Sequence, residues 1–468
     1  MLKKTIINAD AIRQKFSNAM SKMYREEVPA YGTLMDIVSD VNKTILAKDK
    51  ALADALDATK GIERITEERH GAIRLGTAQE LNMMRRIFEV MGMYPVGYYD
   101  LSVADIPVHS TAFRPITKKA LAFNPFRIFT SLLRFEFIND PKLLLKVKAT
   151  LAERKIFSDK AVALVEKAER RGELNEQDSN DFVLEILETF RWHSDAKVSL
   201  ELYNKLHDSH RLIADIVSFK GPHINHLTPR TLDIDAVQTL MPKYGINPKA
   251  VIEGPPSRKH PILLRQTSFK ALEEQVNFIS IDNKKSQGMH TARFGEIEQR
   301  GAALTTKGQA LYDALLNKAR QLVMPNSDGS NAQEYSDNLA AVFKDFPDDI
   351  TEMHDQELAY FNYSITDFGK SAANCGGDEG QLSDLIERGL VRYDPIIYED
   401  FLPVSAAGIF ESNLGEGNKQ KIITRSNRVE FEDDLGGKTL NLFDHYAMLE
   451  AESIKNCISI LKPSTMVM

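Results

Sequence analysis

The stretch Gly221-Pro-His-Ile-Asn-His-Leu-Thr-Pro-Arg-Thr231 is the most informative part of this chain, because a weaker copy of it stands earlier. That copy reads Arg69-His-Gly-Ala-Ile-Arg-Leu-Gly-Thr77, and in both copies a histidine is followed four residues later by an arginine, as His70 is by Arg74. A repeated unit that supplies one histidine per copy can build a metal site between the copies. The repeat therefore indicates both an architecture and a chemistry.

Each copy opens a similar series of predicted elements, in the order β-α-β-β-β. The first is predicted to have a strand at 70–75, a helix at 78–91 and strands at 94–101, 108–116 and 126–133. The second is predicted to have a strand at 223–229, a helix at 233–244 and strands at 250–253, 262–269, 274–281 and 292–304, which allows an extra hairpin. Sequence identity between the copies is slight, so the repeat rests on the order of elements.

The rest of the chain is mostly helical in pattern. The predicted fold class is therefore α+β, with two βαβββ modules forming a curved mixed sheet around a metal and with large helical additions. Five segments are expected: an N-terminal helical segment at 1–65, the first module at 66–140, a helical insertion at 141–220, the second module at 221–305, and a mixed α/β segment at 306–468 that completes the pocket.

Composition excludes several classes of protein. The 468 residues include 59 Lys and Arg against 66 Asp and Glu, and the net charge of −7 argues against a protein that coats nucleic acid or an anionic membrane. No signal peptide and no membrane span are evident in the sequence. The chain has only two cysteines, which favours a reducing cytoplasm.

Strand alternation predicts which side chains share a face, since every second residue of a strand points to the same side. His70 and Arg74 share a face in the first copy. His226 and Arg230 share a face in the second copy, and His223 points the opposite way. The two repeated histidines are thus candidates for one common site.

A carboxylate for that site is predicted in the run 292–301, where Glu296, Glu298 and Arg300 lie on one face. Two histidines and a carboxylate leave metal positions open, which suits a non-haem Fe(II) oxygenase that must bind both a substrate and O2. The same residues would equally allow Zn(II) or Mn(II). Either glutamate could instead pair with an arginine across the sheet.

Other histidine groups favour structural roles. His207 and His210, and His354 with Glu357, lie in charged helical surroundings typical of solvated helix faces. Arg74 has two possible roles: it could grip a substrate carboxylate, or it could form an ion pair with a glutamate of the last strand.

Three further features carry no predicted chemistry. The stretch Gly437-Lys-Thr439 resembles the end of a phosphate loop, but Glu432 stands where the opening glycine is needed. Cys375 has no evident partner base, and the single Trp192 is expected to pack.

At these residues the chain resembles the 2-oxoadipate dioxygenase/decarboxylases, distant members of the vicinal oxygen chelate superfamily. The segments that carry the resemblance are Val28-Pro-Ala-Tyr-Gly-Thr-Leu, Glu68-Arg-His-Gly-Ala-Ile-Arg-Leu-Gly, Gly221-Pro-His-Ile-Asn-His-Leu-Thr-Pro-Arg and Arg293-Phe-Gly-Glu-Ile-Glu-Gln-Arg-Gly. Together they are specific, and the resemblance covers nearly the whole chain. The resemblance implies that the two modules are of the vicinal oxygen chelate type.

The resemblance also implies roles for particular residues. The family's metal ligands fall on His70, His226 and Glu296, with Glu298 as the alternative carboxylate. Its substrate-binding arginine falls on Arg74. A Val-Ser pair that contacts substrate falls on two further residues, Val404 and Ser405. No catalytic residue is implied beyond the metal site.

The implied reaction converts 2-oxoadipate and O2 to 2-hydroxyglutarate and CO2 with Fe(II), as a step of lysine breakdown. The expected partners are a small 2-oxo diacid and O2, with neither nucleic acid nor membrane, and the sequence leaves the oligomeric state open. Two rival functions remain at this point. One is a metal-dependent isomerase, lyase or hydrolase acting on a small carboxylate with the same fold. The other is a non-catalytic binding protein whose histidines are structural.

Overall fold

The computed structural model describes residues 6–57, 61–269, 272–279, 285–291, 293–326, 328–374, 380–402 and 427–462. These residues form a mixed α+β structure with many helices. The chain forms two compact units. The first contains residues 1–253, 266–299 and 401–439, and the second contains 254–265, 300–400 and 440–468. The division into five segments stays a prediction.

Nineteen α-helices occur among the described residues. They are α1 Ala9–Glu27, α2 Pro29–Lys48, α3 Lys50–Asp57, α4 Gly61–Glu67, α5 Ala78–Val90, α6 Lys118–Phe123, α7 Pro141–Ala152, α8 Asp159–Arg171, α9 Glu176–Phe190, α10 Leu200–Ser209, α11 Arg211–Ser218, α12 Ile234–Leu240, α13 Thr306–Leu322, α14 Ala332–Val342, α15 Ile350–Asp355, α16 Asp367–Asn374, α17 Leu382–Glu387, α18 Arg428–Leu435 and α19 Leu442–Leu461. None of these described helices has the length and apolar character that a membrane crossing requires.

The described strands number thirteen. They are β1 Ile6–Ile7, β2 Arg69–Leu75, β3 Tyr94–Asp100, β4 Val108–Arg114, β5 Arg127–Leu133, β6 Leu174–Asn175, β7 Leu227–Pro229, β8 Leu264–Ser268, β9 Glu273–Ile279, β10 Lys285–Thr291, β11 Glu296–Arg300, β12 Phe361–Ile365 and β13 Val391–Pro395. The largest sheet has five strands in the order β3-β4-β5-β2-β7. It is mixed, because β2 is parallel to β5 while the other pairs are antiparallel.

The N-terminal helices and the first copy follow the sequence closely. In α1 the buried residues Ile12, Phe16, Met20 and Met23 recur at helical spacing, as expected. Its N-cap is Asn8, whose side chain accepts from the Ala11 amide at 2.8 Å, and Asp10 lies in the first turn.

The helix of the first copy begins and ends as predicted. At the start of α5, the Thr77 side chain accepts from the Glu80 amide at 3.2 Å. After its last turn, Gly92 adopts a φ of +65°, a left-handed conformation that favours glycine. From β2 to β5 the order of strands and longer helices is β-α-β-β-β.

The second copy departs from the prediction. Its first strand is only Leu227–Pro229, and no strand forms at 250–253, where Glu253 makes a single bridge to Gln266. Prolines at 248, 255 and 256 lack the amide donor that a regular ladder needs. The later strands form two separate pairs, β9 with β10 and β8 with β11, so they do not extend the five-stranded sheet.

Strand β2 occupies an inner position of the five-stranded sheet and is buried along its whole length. Its alternation matches the expected parity. Ala72 packs in the hydrophobic cluster that contains Phe129 and Phe401, whereas Ile73 and Leu75 pack in the cluster formed with α1 and α2. His70 and Arg74 therefore leave the strand on the Ala72 side.

The second unit carries its own small sheet. Strands β12 and β13 pair antiparallel, and α19 packs against β12. Within this unit the Tyr446 hydroxyl donates to a carboxylate oxygen of Asp400 at 2.6 Å. The stretch 403–426 lies outside the described residues.

Candidate metal centre

The two repeated histidines and Glu296 lie together in the first unit. The distance from His70 Nε2 to Glu296 Oε1 is 3.0 Å, and that from His226 Nε2 to the same oxygen is 4.0 Å. All three side chains are fully buried, and one potential ligand atom from each lies within 4.8 Å of the others. The structure thus brings together three residues that are separated by up to 226 positions in the sequence.

Three elements place these ligands. His70 lies on β2, directly across from Thr228 of β7. His226 immediately precedes β7, and Glu296 begins β11. The backbone before β7 makes hydrogen bonds outside any regular strand pairing. The Asn225 amide donates to the Ala72 carbonyl, and the Phe294 amide donates to the Asn225 carbonyl.

Several polar atoms of this cluster have no hydrogen-bond partner among the described residues. They include both ring nitrogens of His226 and the Oε2 atom of Glu296; Nδ1 of His70 also makes no hydrogen bond, although it lies at ion-pair distance from Glu298. A buried polar atom left unsatisfied costs on the order of 1–3 kcal/mol, so three in one place call for a ligand. A divalent cation fits this donor set of imidazole and carboxylate.

Electrostatics favours the same conclusion. Burial, with further contributions from His70 and Arg74, lowers the pKa of His226 well below its usual value, so its imidazole is neutral and offers a lone pair. Burial raises the pKa of Glu296, although His70 and a hydrogen bond from Thr228 oppose that shift. A cation at this position would offset the cost of burying the ionised carboxylate.

Glu298 has a different position from Glu296. Its Oε2 atom lies 3.0 Å from His70 Nδ1, on the other side of the imidazole ring from Nε2. Arg127 Nη2 donates both to Glu298 Oε1 at 2.9 Å and to Glu68 Oε1 at 2.8 Å, and all these side chains are fully buried. Because a carboxylate on Nδ1 fixes the orientation and tautomer of a ligating histidine, Glu298 can direct Nε2 of His70 into the cluster.

Two donors hold the other carboxylate. The Thr228 hydroxyl donates to Glu296 Oε1 at 3.0 Å, and the Gln266 side-chain amide donates to the same oxygen at 2.8 Å. These bonds fix Oε1 and leave Oε2 facing no donor among the described residues. Gln266 was not predicted from the sequence, because nothing in its local pattern on β8 sets it apart.

Arg74 forms an ion pair with a carboxylate of the helical insertion. It donates from Nη1 to Asp215 Oδ2 on α11 at 2.5 Å, and both side chains are about 95% buried. The structural alternative named a glutamate of the last strand as the partner of Arg74, whereas the acid in this ion pair is an aspartate of the helical insertion. Asp215 was missed, although it is the lone charge in the apolar run from Leu212 to Val217.

Asp215 also belongs to a second buried cluster, with His223 and His290. Its Oδ1 atom lies 3.0 Å from His290 Nε2 and 3.3 Å from His223 Nε2. His223 and His226 thus contact different clusters, in keeping with their opposite predicted directions. Trp192 packs as expected, with its ring stacked near His290 at a centroid distance of 5.9 Å.

The remaining candidates have structural positions where the chain is described. His210 caps α11 by accepting from the Leu212 amide, and the His354 ring stacks on Tyr393. Thr439 donates its hydroxyl and its amide to Glu432, so this stretch is engaged with a carboxylate. Val404, Ser405 and Cys375 lie outside the described residues.

Comparison with known proteins identifies the family of this chain. A family model described as 2-oxoadipate dioxygenase/decarboxylase matches residues 16–413, which is most of the chain. The chain belongs to this family. This match confirms the resemblance to the family that the sequence indicated.

Relatives in the 2-oxoadipate dioxygenase/decarboxylase family are similar over almost their whole length. One from Pseudomonas putida is 53% identical over 460 residues, covering 98% of this chain and 99% of the relative. One from Escherichia coli is 52% identical over 453 residues, covering 96% and 98%. Both carry the name 2-oxoadipate dioxygenase/decarboxylase.

A solved structure is also similar. The hydroxyglutarate synthase from Pseudomonas putida, crystallised in complex with 2-oxoadipate, matches with a TM-score of 0.90 and 52% identity. The match covers 97% of this chain and 99% of that one. At this similarity the two chains share a fold.

Proposed function

We propose that this chain converts 2-oxoadipate and O2 to 2-hydroxyglutarate and CO2 with an Fe(II) ion held by His70, His226 and Glu296. The observation that carries the proposal is the buried cluster of two histidines and a glutamate in a chain of this family. It is supported by the 52% identity with a hydroxyglutarate synthase whose structure contains 2-oxoadipate.

The atoms of this reaction balance without any further reactant. Carbon 1 of the 2-oxo acid leaves as CO2, and the keto carbon becomes the new carboxylate by taking one oxygen atom from O2. The second oxygen atom forms the hydroxyl group on the adjacent carbon. A bound Fe(II) supplies chelation of the 2-oxo acid and activation of O2, for which two histidines and one carboxylate leave open positions.

The protein's own part is to hold the ligands and to exclude water. Glu298 orients His70 through Nδ1, and Thr228 and Gln266 hold Oε1 of Glu296. Because each of these groups is buried on a strand or beside one, the ligand atoms are positioned before a metal binds. A dry, preorganised site protects reactive intermediates from side reactions with water.

Arg74 is the proposed binding group for a substrate carboxylate. Its position on β2 places it on the same strand face as His70, and a guanidinium can hold both oxygens of a carboxylate. Val404 and Ser405 are proposed as further substrate contacts from the family resemblance. They follow Phe401, whose ring centroid lies 4.8 Å from that of His70.

A test of this function combines metal loading with oxygen uptake. Protein reconstituted anaerobically with Fe(II) is expected to consume O2 and release CO2 in equal amounts when 2-oxoadipate is added, with 2-hydroxyglutarate found by mass spectrometry. Glu296→Gln is the matched control and is expected to lose this activity. Release of CO2 without uptake of O2 would overturn the proposal in favour of a plain decarboxylase, and turnover without either gas would favour the isomerase, lyase or hydrolase alternative.

The second carboxylate of the substrate gives a specificity test. The positive charge of Arg74 favours a substrate with two carboxylates. We therefore expect 2-oxoadipate to turn over faster than 2-oxohexanoate, which lacks the far carboxylate. Equal turnover would show that charge does not select the substrate. We also propose a cytoplasmic location, since a chain of this length with two cysteines suits a reducing compartment.

A further inference from the structure

The guanidinium of Arg74 forms an ion pair with a residue of α11, a helix of the insertion. Asp215 of α11 accepts from Arg74 Nη1 through Oδ2, and the pair is almost fully buried. In a buried site the opposite charges compensate each other, and removing one partner leaves the other costly to bury. Asp215 therefore stabilises the ionised Arg74 inside the protein.

The other oxygen of Asp215 is held as well. His290 Nε2 lies 3.0 Å from Oδ1 and His223 Nε2 lies 3.3 Å from it, while His290 Nδ1 lies 2.9 Å from the Tyr203 hydroxyl. A tautomer of His290 with its proton on Nε2 donates to Asp215 and accepts from Tyr203. This arrangement uses both ring nitrogens of His290 and fixes the carboxylate in place.

A metal ion fits this cluster poorly, although its donors are those of a metal site. Arg74 already neutralises Asp215 at 2.5 Å, so a divalent cation would add two uncompensated positive charges to a buried group. Burial also lowers the pKa of His223, which is thus neutral and brings no negative charge. Both oxygens of Asp215 and both ring nitrogens of His290 have partners in this cluster, although Nε2 of His223, 3.3 Å from Asp215 Oδ1, makes no hydrogen bond.

We propose that Asp215 is a positioning residue, which holds Arg74 in the orientation that binds the substrate carboxylate and is itself held by His290, whose other ring nitrogen is bound by Tyr203. This inference rests on the proposed function, in which Arg74 binds substrate. Preorganisation of a binding group lowers the cost of ordering it when the ligand arrives. The helical insertion would thereby supply part of the binding site from α10 and α11.

The test is a double-mutant cycle between Arg74 and Asp215. The dissociation constant of 2-oxoadipate is measured by anaerobic calorimetry on Fe(II)-loaded protein, and kcat is measured separately by oxygen uptake. Asp215→Asn is expected to weaken binding about tenfold, with kcat changed less than threefold and metal content unchanged. In an Arg74→Ala background, Asp215→Asn is expected to have no further effect on binding, because Asp215 acts through the arginine.

A matched buried ion pair provides the control. Arg154 contacts Glu80 through two hydrogen bonds of 2.8 and 2.6 Å, and both side chains are more than nine-tenths buried. Glu80→Gln is expected to lower the melting temperature but to leave the affinity for 2-oxoadipate unchanged. If Glu80→Gln and Asp215→Asn weaken binding equally, the effect is one of general stability and the proposal fails.

A milder variant covers the case in which Asp215→Asn does not fold. Tyr203→Phe removes only the hydroxyl beside His290 and is expected to weaken binding about threefold in the wild-type background and not at all with Arg74→Ala. Additive effects, tighter binding, or a second metal equivalent that disappears in His290→Ala would each overturn the proposal. Binding without oxygen uptake by the wild-type protein would refute the proposed function alone, because the cycle is read from affinity.

Discussion

Two buried clusters in this protein have the same composition, two histidines and one carboxylate, but different surroundings. In the first, the nitrogens of His226 and one oxygen of Glu296 have no hydrogen-bond partner among the described residues. In the second, Nε2 of His223 also has no hydrogen-bond partner among the described residues, but both oxygens of Asp215 are engaged, one by Arg74 and the other by His290. The comparison teaches that the donor types alone do not identify a metal site, and that the charge and hydrogen bonds around the carboxylate do.

The largest expected difference between the clusters is in metal content. His226→Ala is expected to abolish uptake of one divalent ion per chain, because it removes a neutral buried ligand. His290→Ala, an equally buried histidine of the other cluster, is expected to keep that ion, as is His207→Ala on a helix surface. Metal analysis of the purified variants decides this, and the reverse pattern would exchange the roles of the two clusters.

The two glutamates of β11 sharpen the comparison within the first cluster. Glu296→Gln is expected to lower metal affinity at least 100-fold, because a carboxylate ligand is lost. Glu298→Gln is expected to lower it roughly 10-fold to 100-fold, the usual range for a group that orients a ligating histidine. Competition with a chelator measures both affinities, and a larger loss in Glu298→Gln would make Glu298 the ligand.

Substitutions of Arg74 test whether the second cluster, which contains its partner Asp215, contributes to substrate binding. Arg74→Lys is expected to retain metal and fold but to lose at least tenfold in kcat/KM, about 1.4 kcal/mol of transition-state stabilisation, since a lysine lacks the planar fork. Arg74→Ala is expected to lose more. A lowered melting temperature with nearly unchanged kinetics would instead show that the ion pair with Asp215 is purely structural, and Arg154→Lys is the matched control.

A buried histidine outside both clusters gives the smallest effect. Burial, assisted by Arg134, lowers the pKa of His109 to about 3. Between about pH 6.5 and pH 3, His109 binds a proton in the unfolded chain but not in the folded protein. The free energy of unfolding therefore falls as the pH falls through this range. The contribution of His109 between pH 7 and 5 is roughly 2 kcal/mol.

His109→Gln removes this contribution. The variant is expected to lose less melting temperature than the wild-type protein when the pH is lowered from 7 to 5. The measurement is made on both proteins in the same buffers, so that the other titrating groups cancel. An equal loss in the two proteins would show that His109 is protonated in the folded state.

The sequence was sufficient for features that depend on local pattern. Helix α1 followed from its apolar spacing, and the side-chain directions along β2 followed from strand alternation. The grouping of His70 with His226 followed from the repeat. The first two features depend on residues that are near one another in the chain, where periodicity is informative, whereas the grouping of the histidines depended on the likeness of two distant stretches.

Other features depend on partners from distant elements. Glu296 and Glu298 share a strand face, so alternation could not separate them, and their difference comes from the groups opposite each one. The second copy failed as a regular module because prolines interrupt it. Asp215 lies in a helix 141 residues from Arg74, and only its charge within an apolar run could have drawn attention to it.

Strand β2 carries both His70 at the metal end and Arg74 four residues along, and it is buried on both faces between two other strands. Under the proposed function this strand sets the distance between the metal and the group that binds the substrate carboxylate. The Cα atoms of His70 and Arg74 are about 13 Å apart along it. Only alternate residues face the site, so the arginine can be moved along β2 only in steps of two residues, about 6.6 Å. The backbone therefore allows only certain distances between the metal and the arginine, and so only certain lengths of substrate. A preference for shorter diacids would need an arginine at the position of Ala72 or on another strand.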